Sequence, residues 1–545
     1  MTRGKFRGAD AMMTSLASIG VRQIFTLSGN HIMPMFDAAL DAGLRLIHTR
    51  HEAAAVHMAD AYARLTGEPG IAMVTGGPGH ANAVSALYTA QMSESPVVLL
   101  SGHAPVKQIG MGAFQEMRQA DLASPVTKAS WTSERTDALA SDLARAVRAA
   151  LSGRPGPVHL SLPTDLIEAE AESGGLPDAA QFKATAMSVD PNIAASMLER
   201  LGAAKRPLVL VGPASLGKEG RQRLAALEDA TGIPVIGMES PRGIQDPSLG
   251  AFAEVLAQAD CVLLLGKRMD FTLRFGQAPA LHADCVFVQI DADSEELDRT
   301  RSAVGSRLQG VAVADAASSI AALTGLASRQ RVSPSAWRGE VRDAVAFRPP
   351  GWAEASSAEP GRMHPVQALR PLQSLLDSHP DAVFVSDGGE IGQWAQACLE
   401  APNRVINGVA GAIGAALPFA LAARVAKPDA PVIAVMGDGT FGFHAAEIDT
   451  AVRYQLPFIA VVGNDARWNA EYQIQLRDYG AQRLVGCDLL PTRYDQVTAG
   501  FGGHGELVTD PVHVPAAAQR ALQSRLPACL NVMIEGLPAP AVSRR

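Results

Sequence analysis

The sequence predicts an α/β protein with three doubly wound domains, each built on a parallel sheet that helices cover on both faces. Two observations carry this prediction. Short β-branched runs alternate with alanine-rich helical stretches along the whole chain, which is typical of parallel sheets buried on both faces. The 545 residues also exceed what one hydrophobic core usually supports, so several domains are expected.

The predicted strands form three series that two polar segments separate. The first series is at 23–27, 45–48, 71–75, 97–101 and 157–162, the second at 207–212, 233–237, 261–266 and 286–292, and the third at 382–389, 431–439 and 458–464. Residues 167–190 and 327–364 show no clear period and are predicted to be linkers. The resulting domains are 1–166, 191–326 and 365–545.

Composition excludes several classes of function. With 47% hydrophobic and 19% charged residues, the chain is typical of a folded protein. A net charge of −8 and the lack of a Lys/Arg cluster argue against a nucleic-acid partner. The longest apolar runs are strand-length, which argues against a membrane, and the N-terminus lacks the apolar run of a signal peptide. Five scattered cysteines suit reduced packing residues, so a cytoplasmic enzyme is expected.

Two polar turns follow apolar strands in the third series. Gly437, Asp438, Gly439 and Thr440 end one strand, and 463–465, with the sequence Gly-Asn-Asp, ends the next. A carboxylate beside flexible glycines suits a divalent metal that carries a diphosphate, because magnesium prefers a few protein oxygens together with phosphate and water. The alternative for each turn is a plain strand-terminating loop.

A second motif lies at the change from strand to helix at 49–57, with the sequence Thr-Arg-His-Glu-Ala-Ala-Ala-Val-His. Considered alone, Glu52 would be a first-turn glutamate that the helix dipole favours. However, the motif is followed by Ala-Asp-Ala-Tyr-Ala-Arg-Leu-Thr-Gly at 59–67 and by Val-Thr-Gly-Gly-Pro-Gly-His-Ala-Asn at 74–82. In order and spacing, these segments closely resemble thiamine diphosphate enzymes of the acetolactate synthase and benzaldehyde lyase branch.

The resemblance implies roles for the residues of the first domain. Glu52 would be the carboxyl group that hydrogen-bonds the pyrimidine of thiamine diphosphate and promotes deprotonation of its thiazolium C2. The loop that lines the cofactor in the neighbouring subunit's site would contain Thr75, Gly77, Pro78, Gly79 and Asn82.

The resemblance also covers the third domain, because the family carries Gly-Asp-Gly and, further along, Asn-Asn. It implies Mg²⁺ ligands at Asp438, Asp465 and the carbonyl of Arg467. Here the second Asn of the family is an Asp, so Asn464 is an alternative ligand. Ile413 would wedge between the two cofactor rings, and the Gly411 carbonyl would accept from the cofactor's amino group. Residues that would hold the diphosphate are Gly389, Glu390, Gly437, Gly439 and Thr440.

On the substrate side, two segments match the family. His31, after Asn30, matches a histidine of benzaldehyde lyase, and Phe114 with Gln115 matches an Ala-Phe-Gln-Glu segment of acetolactate synthases. A neutral histidine could relay a proton to the substrate oxygen, although a structural histidine at a helix start is the alternative. Residues expected to close the pocket, which depart from the acetolactate synthase pattern, are Trp468, Asn469 and Tyr472.

The resemblance therefore implies a thiamine diphosphate- and Mg²⁺-dependent C–C lyase or carboligase acting on a small carbonyl compound, a 2-keto acid or 2-hydroxy ketone. It further implies a homodimer or homotetramer whose subunits share active sites. Two alternatives remain open: an oxalyl-CoA or 2-hydroxyacyl-CoA lyase, and a non-catalytic paralogue that binds the cofactor or a nucleotide. FAD is compatible with the central domain, near 266–270 and 290–293, but is not predicted.

Overall fold

The computed structural model describes residues 5–172, 175–328 and 336–544. Over these ranges the chain forms three sheets in which all paired strands run parallel, with helices between the strands. The predicted fold class, three parallel-sheet α/β domains, is confirmed. The predicted boundaries remain a prediction, and parts of 1–166, 365–545 and of both predicted linkers lie outside the described residues.

The first sheet has the strand order β2-β1-β3-β4-β6-β5. Its strands are β1 (Gln23–Thr26), β2 (Arg45–His48), β3 (Gly70–Val74), β4 (Val97–His103), β5 (Ala129–Thr132) and β6 (Val158–Pro163). The helices of this region are α1 (Gly8–Ser18), α2 (Met33–Asp41), α3 (Glu52–Thr66), α4 (Pro78–Met92), α5 (Gln119–Ala123), α6 (Leu139–Leu151) and α7 (Thr164–Glu168). Strands β3, β4 and β6 are buried along their whole length, as expected for the centre of a sheet packed on both faces.

The middle sheet has the strand order β11-β10-β9-β7-β8. Its strands are β7 (Pro207–Val211), β8 (Val235–Gly237), β9 (Cys261–Leu265), β10 (Val286–Asp291) and β11 (Leu308–Val313). The helices are α8 (Pro191–Ala203), α9 (Lys218–Thr231), α10 (Phe252–Leu256), α11 (Ser294–Val304), α12 (Ala316–Ala327) and α13 (Ala336–Ala346). Helix α13 falls inside the predicted linker 327–364, and its Trp337, Val341 and Ala344 belong to the core of this sheet.

The third sheet has the strand order β13-β12-β14-β15-β17-β16. Its strands are β12 (Val383–Ser386), β13 (Asn403–Ile406), β14 (Val432–Gly437), β15 (Ile459–Asn464), β16 (His504–Val508) and β17 (Ala528–Met533). The helices are α14 (Pro365–Leu369), α15 (Gln373–Asp377), α16 (Gly389–Cys398), α17 (Ala416–Ala426), α18 (Asp438–Phe443), α19 (Glu447–Arg453), α20 (Asn469–Tyr479), α21 (Tyr494–Gly500) and α22 (Val514–Ser524).

The first and third sheets share one topology. In chain order both read 2-1-3-4-6-5, so the direction of winding reverses between β1 and β3 and again between β12 and β14. In open α/β sheets, ligands bind beyond the carboxyl ends of the strands at such a switch point. The segments after β1, β3, β12 and β14 are the ones that carry most of the predicted site residues.

The chain divides into two compact units. One contains the described residues up to 185 together with 421–426 and 446–455, and the other contains the remaining described residues of the middle and third sheets. Helix α19 therefore packs with the first sheet, although its sequence lies within the third series. Within the described residues, no helix is both long and apolar enough to cross a membrane.

Candidate active site

Glu52 is the first residue of α3 and is 8% exposed. The helix begins here because the His51 side chain accepts a hydrogen bond from the Ala53 backbone N–H, and it ends at Gly67, whose φ of +76° suits glycine. Asn82 of α4 donates its Nδ2 to Glu52 Oε2 at 3.0 Å. Gly79 lies so close that a Cβ there would be 3.3 Å from Glu52 Oε1. The carboxyl group is thus buried against the first two turns of α4.

A second carboxylate, which the sequence did not reveal, holds the turn before Glu52. Glu447 of α19 accepts hydrogen bonds at Oε1 from the backbone N–H groups of Arg50 (2.9 Å) and His51 (3.1 Å), and Thr450 donates to its Oε2 at 2.6 Å. Burial raises the pKa of Glu447. No local motif marks this contact, because the partners are about 400 positions apart in the sequence.

His31 and Thr75 meet at the switch point of the first sheet. His31 Nδ1 lies 3.2 Å from Thr75 Oγ1, and both side chains are buried. The imidazole stacks on the Phe114 ring, with centroids 6.0 Å apart and an interplanar angle of 20°. Burial lowers the pKa of His31, so the ring is neutral at neutral pH. The structure therefore brings together three of the predicted residues around the end of β3.

Gln115 packs its backbone directly on Gly77. A Cβ on Gly77 would lie 2.8 Å from the Gln115 Cβ and carbonyl oxygen, and the φ of Gly77, +58°, favours glycine. Gln115 itself has a φ of +56°, which is uncommon for a residue with a side chain and often marks a functional position. Of the remaining predicted substrate residues in this unit, Asn30 is exposed and Phe114 is 67% exposed.

A cavity of about 680 Å³ opens beside this site, at the carboxyl ends of β4 and β5. Its wall includes His103, Ala113, Met117 and Gln119, but none of His31, Phe114 and Gln115. The loop at 110–116 contains Phe114 and Gln115 and also contributes to the cavity wall. Glu116 closes this loop, because its carboxylate accepts hydrogen bonds from the backbone N–H groups of Gly110, Gly112 and Ala113. These hydrogen bonds lower the pKa of Glu116.

The third sheet carries a second cavity, of about 200 Å³, at its own switch point. The predicted residues that line it are Gly389, Glu390, Gly411, Ile413, Gly437, Asp438, Gly439, Thr440, Asp465, Arg467, Trp468 and Asn469. Residues that the sequence did not single out, and that also line it, are Pro241, Arg242, Gln393, Asn407 and Glu471.

Asp438 and Asp465 are the two acidic side chains at the strand ends of this cavity. Asp438 is 1% exposed; its Oδ1 accepts from the Gly439 N–H, whereas its buried Oδ2 has no hydrogen-bond partner among the described residues. Burial raises the pKa of Asp438 to about 6, and burial together with the Asp438 charge raises that of Asp465 to about 7. Two ionised carboxylates at these positions would repel each other, and a cation between them would offset that repulsion.

The alternative ligand, Asn464, points elsewhere. Its Nδ2 donates to the Thr492 carbonyl and to Asn531 Oδ1, both at 3.0 Å, and its Oδ1 accepts from the Ala466 N–H. The amide is therefore used inside the sheet and does not line the cavity. In the described part of the chain, no group of three or more His, Cys, Asp or Glu side chains is arranged as a metal site; the predicted set contains two carboxylates and a backbone carbonyl.

Ile413 is held beside the end of β12. A Cβ on Gly388 would lie 2.1 Å from Ile413 Cγ2, so only glycine at 388 admits this arrangement. Asp387, which is fully buried, accepts at Oδ2 from the N–H groups of Gly414 (3.0 Å) and Ala416 (2.8 Å), and burial raises its pKa to about 6. The carboxyl group thus joins the end of β12 to the segment that carries Gly411 and Ile413.

Glu390 is a buried carboxylate at the start of α16. Arg242, from the middle-sheet region, donates to its Oε2 at 2.9 Å, and burial raises the pKa of Glu390. The Arg242 guanidinium offsets part of the charge of Glu390, which would otherwise repel a diphosphate at the position that the sequence predicts. Sequence spacing offered no signal for Arg242.

Three predicted pocket-closing residues follow the metal loop, with different outcomes. The Trp468 ring lies against Gly439, where a Cβ would be 2.5 Å from the indole. Asn469 lines the cavity, but its Nδ2 donates to the Leu537 carbonyl at 2.8 Å and its Oδ1 accepts from Gln473. Tyr472 lies outside the cavity wall and packs under the Arg467 guanidinium, 4.4 Å from its ring centroid.

The chemistry of the second cavity fits a metal-bound diphosphate. Buried oxygens without a partner in the described structure, at Asp438, Asn407 and Gln393, surround a space that has no room for further side chains at Gly388 and Gly439. The carboxylates would repel a bare diphosphate, whereas a divalent cation between them would offset that repulsion.

Comparisons with known proteins agree with this geometry. Family models described as the thiamine pyrophosphate enzyme N-terminal TPP binding domain, central domain and C-terminal TPP binding domain match residues 6–122, 194–323 and 387–532. A probable acetolactate synthase of Mycobacterium bovis is 32% identical, over 97% of this chain and 96% of the relative. A 2-hydroxyacyl-CoA lyase 2 of Homo sapiens is 30% identical (97% and 90%), and a 2-hydroxyacyl-CoA lyase of Oryza sativa subsp. japonica is 30% identical (97% and 96%).

Proposed function

The chain belongs to the thiamine pyrophosphate enzyme family, and on that premise we propose that it is a Mg²⁺- and thiamine diphosphate-dependent C–C lyase or carboligase. The proposed substrates are 2-keto acids or 2-hydroxy ketones. The observation that carries the proposal is a pair of sites at switch points. The first sheet has a buried glutamate, Glu52, at its site, and the third sheet has two buried carboxylates around a small cavity. When bound, thiamine diphosphate supplies a thiazolium carbon that adds to a carbonyl group once it has lost its proton.

The chain's own residues would divide the work as follows. Glu52, held by Asn82, would hydrogen-bond the pyrimidine ring, and Thr75, Gly77, Pro78 and Gly79 would line that ring. Ile413 would support the bend between the two rings. In the third sheet, Asp438, Asp465 and the Arg467 carbonyl would hold Mg²⁺. The diphosphate would lie against Gly389, Glu390, Gly437, Gly439 and Thr440.

On the substrate side, His31 is the proposed proton carrier. Its neutral ring, supported by Thr75 and stacked on Phe114, suits acceptance or donation of a proton at the substrate oxygen. Gln115 would donate a hydrogen bond to the same oxygen. Trp468 would close the cavity above the metal loop, whereas the contacts of Asn469 and Tyr472 favour supporting roles.

A homodimer or homotetramer with shared sites is part of the proposal. Large apolar side chains near the candidate residues are exposed in both units, with Met111 at 78% and Phe114 at 67% in one, and Val485 at 76% in the other. Burial of these side chains between subunits would remove apolar surface from water and so favour association. Mixing inactive Glu52→Gln and Asp438→Asn subunits should restore part of the activity if each site draws on two subunits. Activity that stays at the level of the separate variants would contradict sharing.

We also propose a cytoplasmic location, since all five cysteines are unpaired and four of them are buried. The substrate class is tested by a turnover screen of purified protein with thiamine diphosphate and Mg²⁺. We expect product from 2-keto acids, or from 2-hydroxy ketones and aldehydes. Turnover that requires an acyl-CoA would replace this proposal with the activity that the lyase relatives are named for, and cofactor binding without any turnover would favour a non-catalytic paralogue.

A further inference from the structure

Gln119 is a buried amide that the proposed function does not use. It is the first residue of α5 and is 1% exposed. Its Oε1 accepts from the Gly77 backbone N–H at 2.7 Å, and its Nε2 donates to the Gly102 carbonyl at 3.1 Å and to Ser161 Oγ at 2.8 Å. One side chain therefore connects the turn after β3 to the last residues of β4 and to β6.

The turn that Gln119 holds, residues 75–79, has little freedom. Gly77 has φ +58° and ψ −115° and is the N-cap residue of α4, where a glycine can offer no side-chain acceptor to the helix. A Cβ on Gly76 would lie 3.0 Å from Gln119 Oε1 and 2.6 Å from the Gly102 carbonyl. The Gln119 amide consequently lies against two successive glycines of the turn and satisfies an N–H at the start of α4, where helix donors have no intrahelical partner.

Residues 75–79 also determine the surroundings of Glu52 and His31. Thr75 contacts His31 Nδ1, and a Cβ on Gly79 would touch both Thr75 and Glu52. Asn82, one turn further along α4, holds Glu52 Oε2. A change at the start of α4 would therefore move Gly79 and Asn82, the two α4 residues that lie against the Glu52 carboxyl, together.

We propose that Gln119 is a positioning residue for the cofactor site, acting through the 75–79 turn. It touches neither Glu52 nor His31 and shapes their surroundings by holding the Gly77 N–H and the ends of β4 and β6 in one geometry. The inference rests on the proposed function, because the turn bears on catalysis only if this face receives the pyrimidine ring. It adds a role that the contiguous motifs do not contain.

The test compares Gln119→Leu with Ser130→Ala. Ser130 is a matched control: its Oγ donates to the Ala120 carbonyl of α5 at 2.7 Å and lies 2.8 Å from His159 Nδ1 of β6, and neither contact involves residues 75–79. The Kd for thiamine diphosphate in the presence of Mg²⁺ is measured by calorimetry, and the melting temperature of each cofactor-free protein is measured beside it.

We expect Gln119→Leu to raise the Kd about tenfold, the size of one lost hydrogen bond with its unpaired partner. Ser130→Ala should lower the melting temperature about as much as Gln119→Leu does, while its Kd stays at the wild-type value. A Kd for Gln119→Leu that equals the wild-type value, or a Kd that rises equally in Ser130→Ala, overturns the inference. Wild-type protein that fails to bind the cofactor overturns the proposed function instead.

Gln119→Glu provides a second test that survives a folding failure of the leucine variant. An ionised glutamate still accepts from the Gly77 N–H but cannot donate to the Gly102 carbonyl, whereas a protonated one can. The ratio of its Kd to the wild-type Kd should therefore fall towards one as the pH is lowered from 8 to 5.5. A ratio that does not change with pH contradicts a positioning role for the amide donors.

Discussion

Replacement of Glu447 should disturb the start of α3 and, through it, Glu52. In Glu447→Ala, the backbone N–H groups of Arg50 and His51 lose the acceptor that lies 2.9 and 3.1 Å away. Each lost hydrogen bond costs about 1 kcal/mol, so the pair costs about 2 kcal/mol. For a unit of this size that corresponds to a fall in melting temperature of about 4–8 °C. Glu447→Gln keeps an acceptor oxygen and should lose less than half as much.

The assay pairs thermal unfolding with turnover. We expect Glu447→Ala to lower kcat at least tenfold, since Glu52 directly follows the released turn, while Glu447→Gln stays within about threefold of wild type. Asp449→Asn serves as the comparison on the same helix. It weakens the partly exposed ion pairs with Arg453 (2.8 Å) and with the Arg50 side chain (3.6 Å), but it leaves Glu447 as the acceptor for the backbone N–H groups of Arg50 and His51. Wild-type melting and wild-type kcat in Glu447→Ala would refute the idea that α19 positions Glu52.

Three further predictions concern the cofactor site and its acid side. Asp438→Asn should abolish the Mg²⁺-dependent part of thiamine diphosphate binding in calorimetry, and retention of that dependence would reject Asp438 as a ligand. Gly388→Ala should raise the cofactor Kd more than tenfold, because a Cβ there overlaps Ile413 Cγ2; an unchanged Kd would contradict the crowding. Burial lowers the pKa of His31 below its ordinary value of 6.5, so the ring takes up a proton only as the pH falls below 6.5. That protonation destabilises the fold and removes the neutral ring that would accept a proton from the substrate. The acid limb of kcat/KM should therefore lie below pH 6.5 and disappear in His31→Gln; an unchanged limb assigns it to another group.

Strand prediction succeeded where burial leaves a continuous apolar run. β4, β9, β14 and β15 are buried over nearly all of their residues, and the sequence alone locates each of them. The sequence analysis missed five strands: β5, β11, β13, β16 and β17. The first four lie at sheet edges and each has residues that are only partly buried, so their sequences carry no such run. β17 is buried and paired on both sides, but Asn531 interrupts its apolar run. Trp337 illustrates a further limit, because a polar segment hides the helix whose apolar face packs on the middle sheet.

The sequence proposes site residues only where they lie in contiguous motifs, and it offers no candidates among residues that act across the fold. Glu52, Asp438 and Ile413 lie in short segments whose order is itself informative. Glu447, Arg242 and Gln119 reach the candidate sites from distant parts of the chain, and no spacing rule connects them with their partners Arg50, Glu390 and Gly77. The directions of Asn464 and Asp465 are likewise visible only in the structure, where the Asn464 amide hydrogen-bonds inside the sheet and Asp465 lines the cavity.

The central claim is that the Glu52 carboxyl activates bound thiamine diphosphate. It is tested most directly by the rate at which the C2 hydrogen of the bound cofactor exchanges with deuterated solvent, in wild-type protein and in Glu52→Gln. The account predicts that the variant binds the cofactor with nearly wild-type affinity and slows exchange by at least about a hundredfold, as expected for loss of acid–base assistance. Exchange at the wild-type rate in a Glu52→Gln protein that is saturated with cofactor would contradict it.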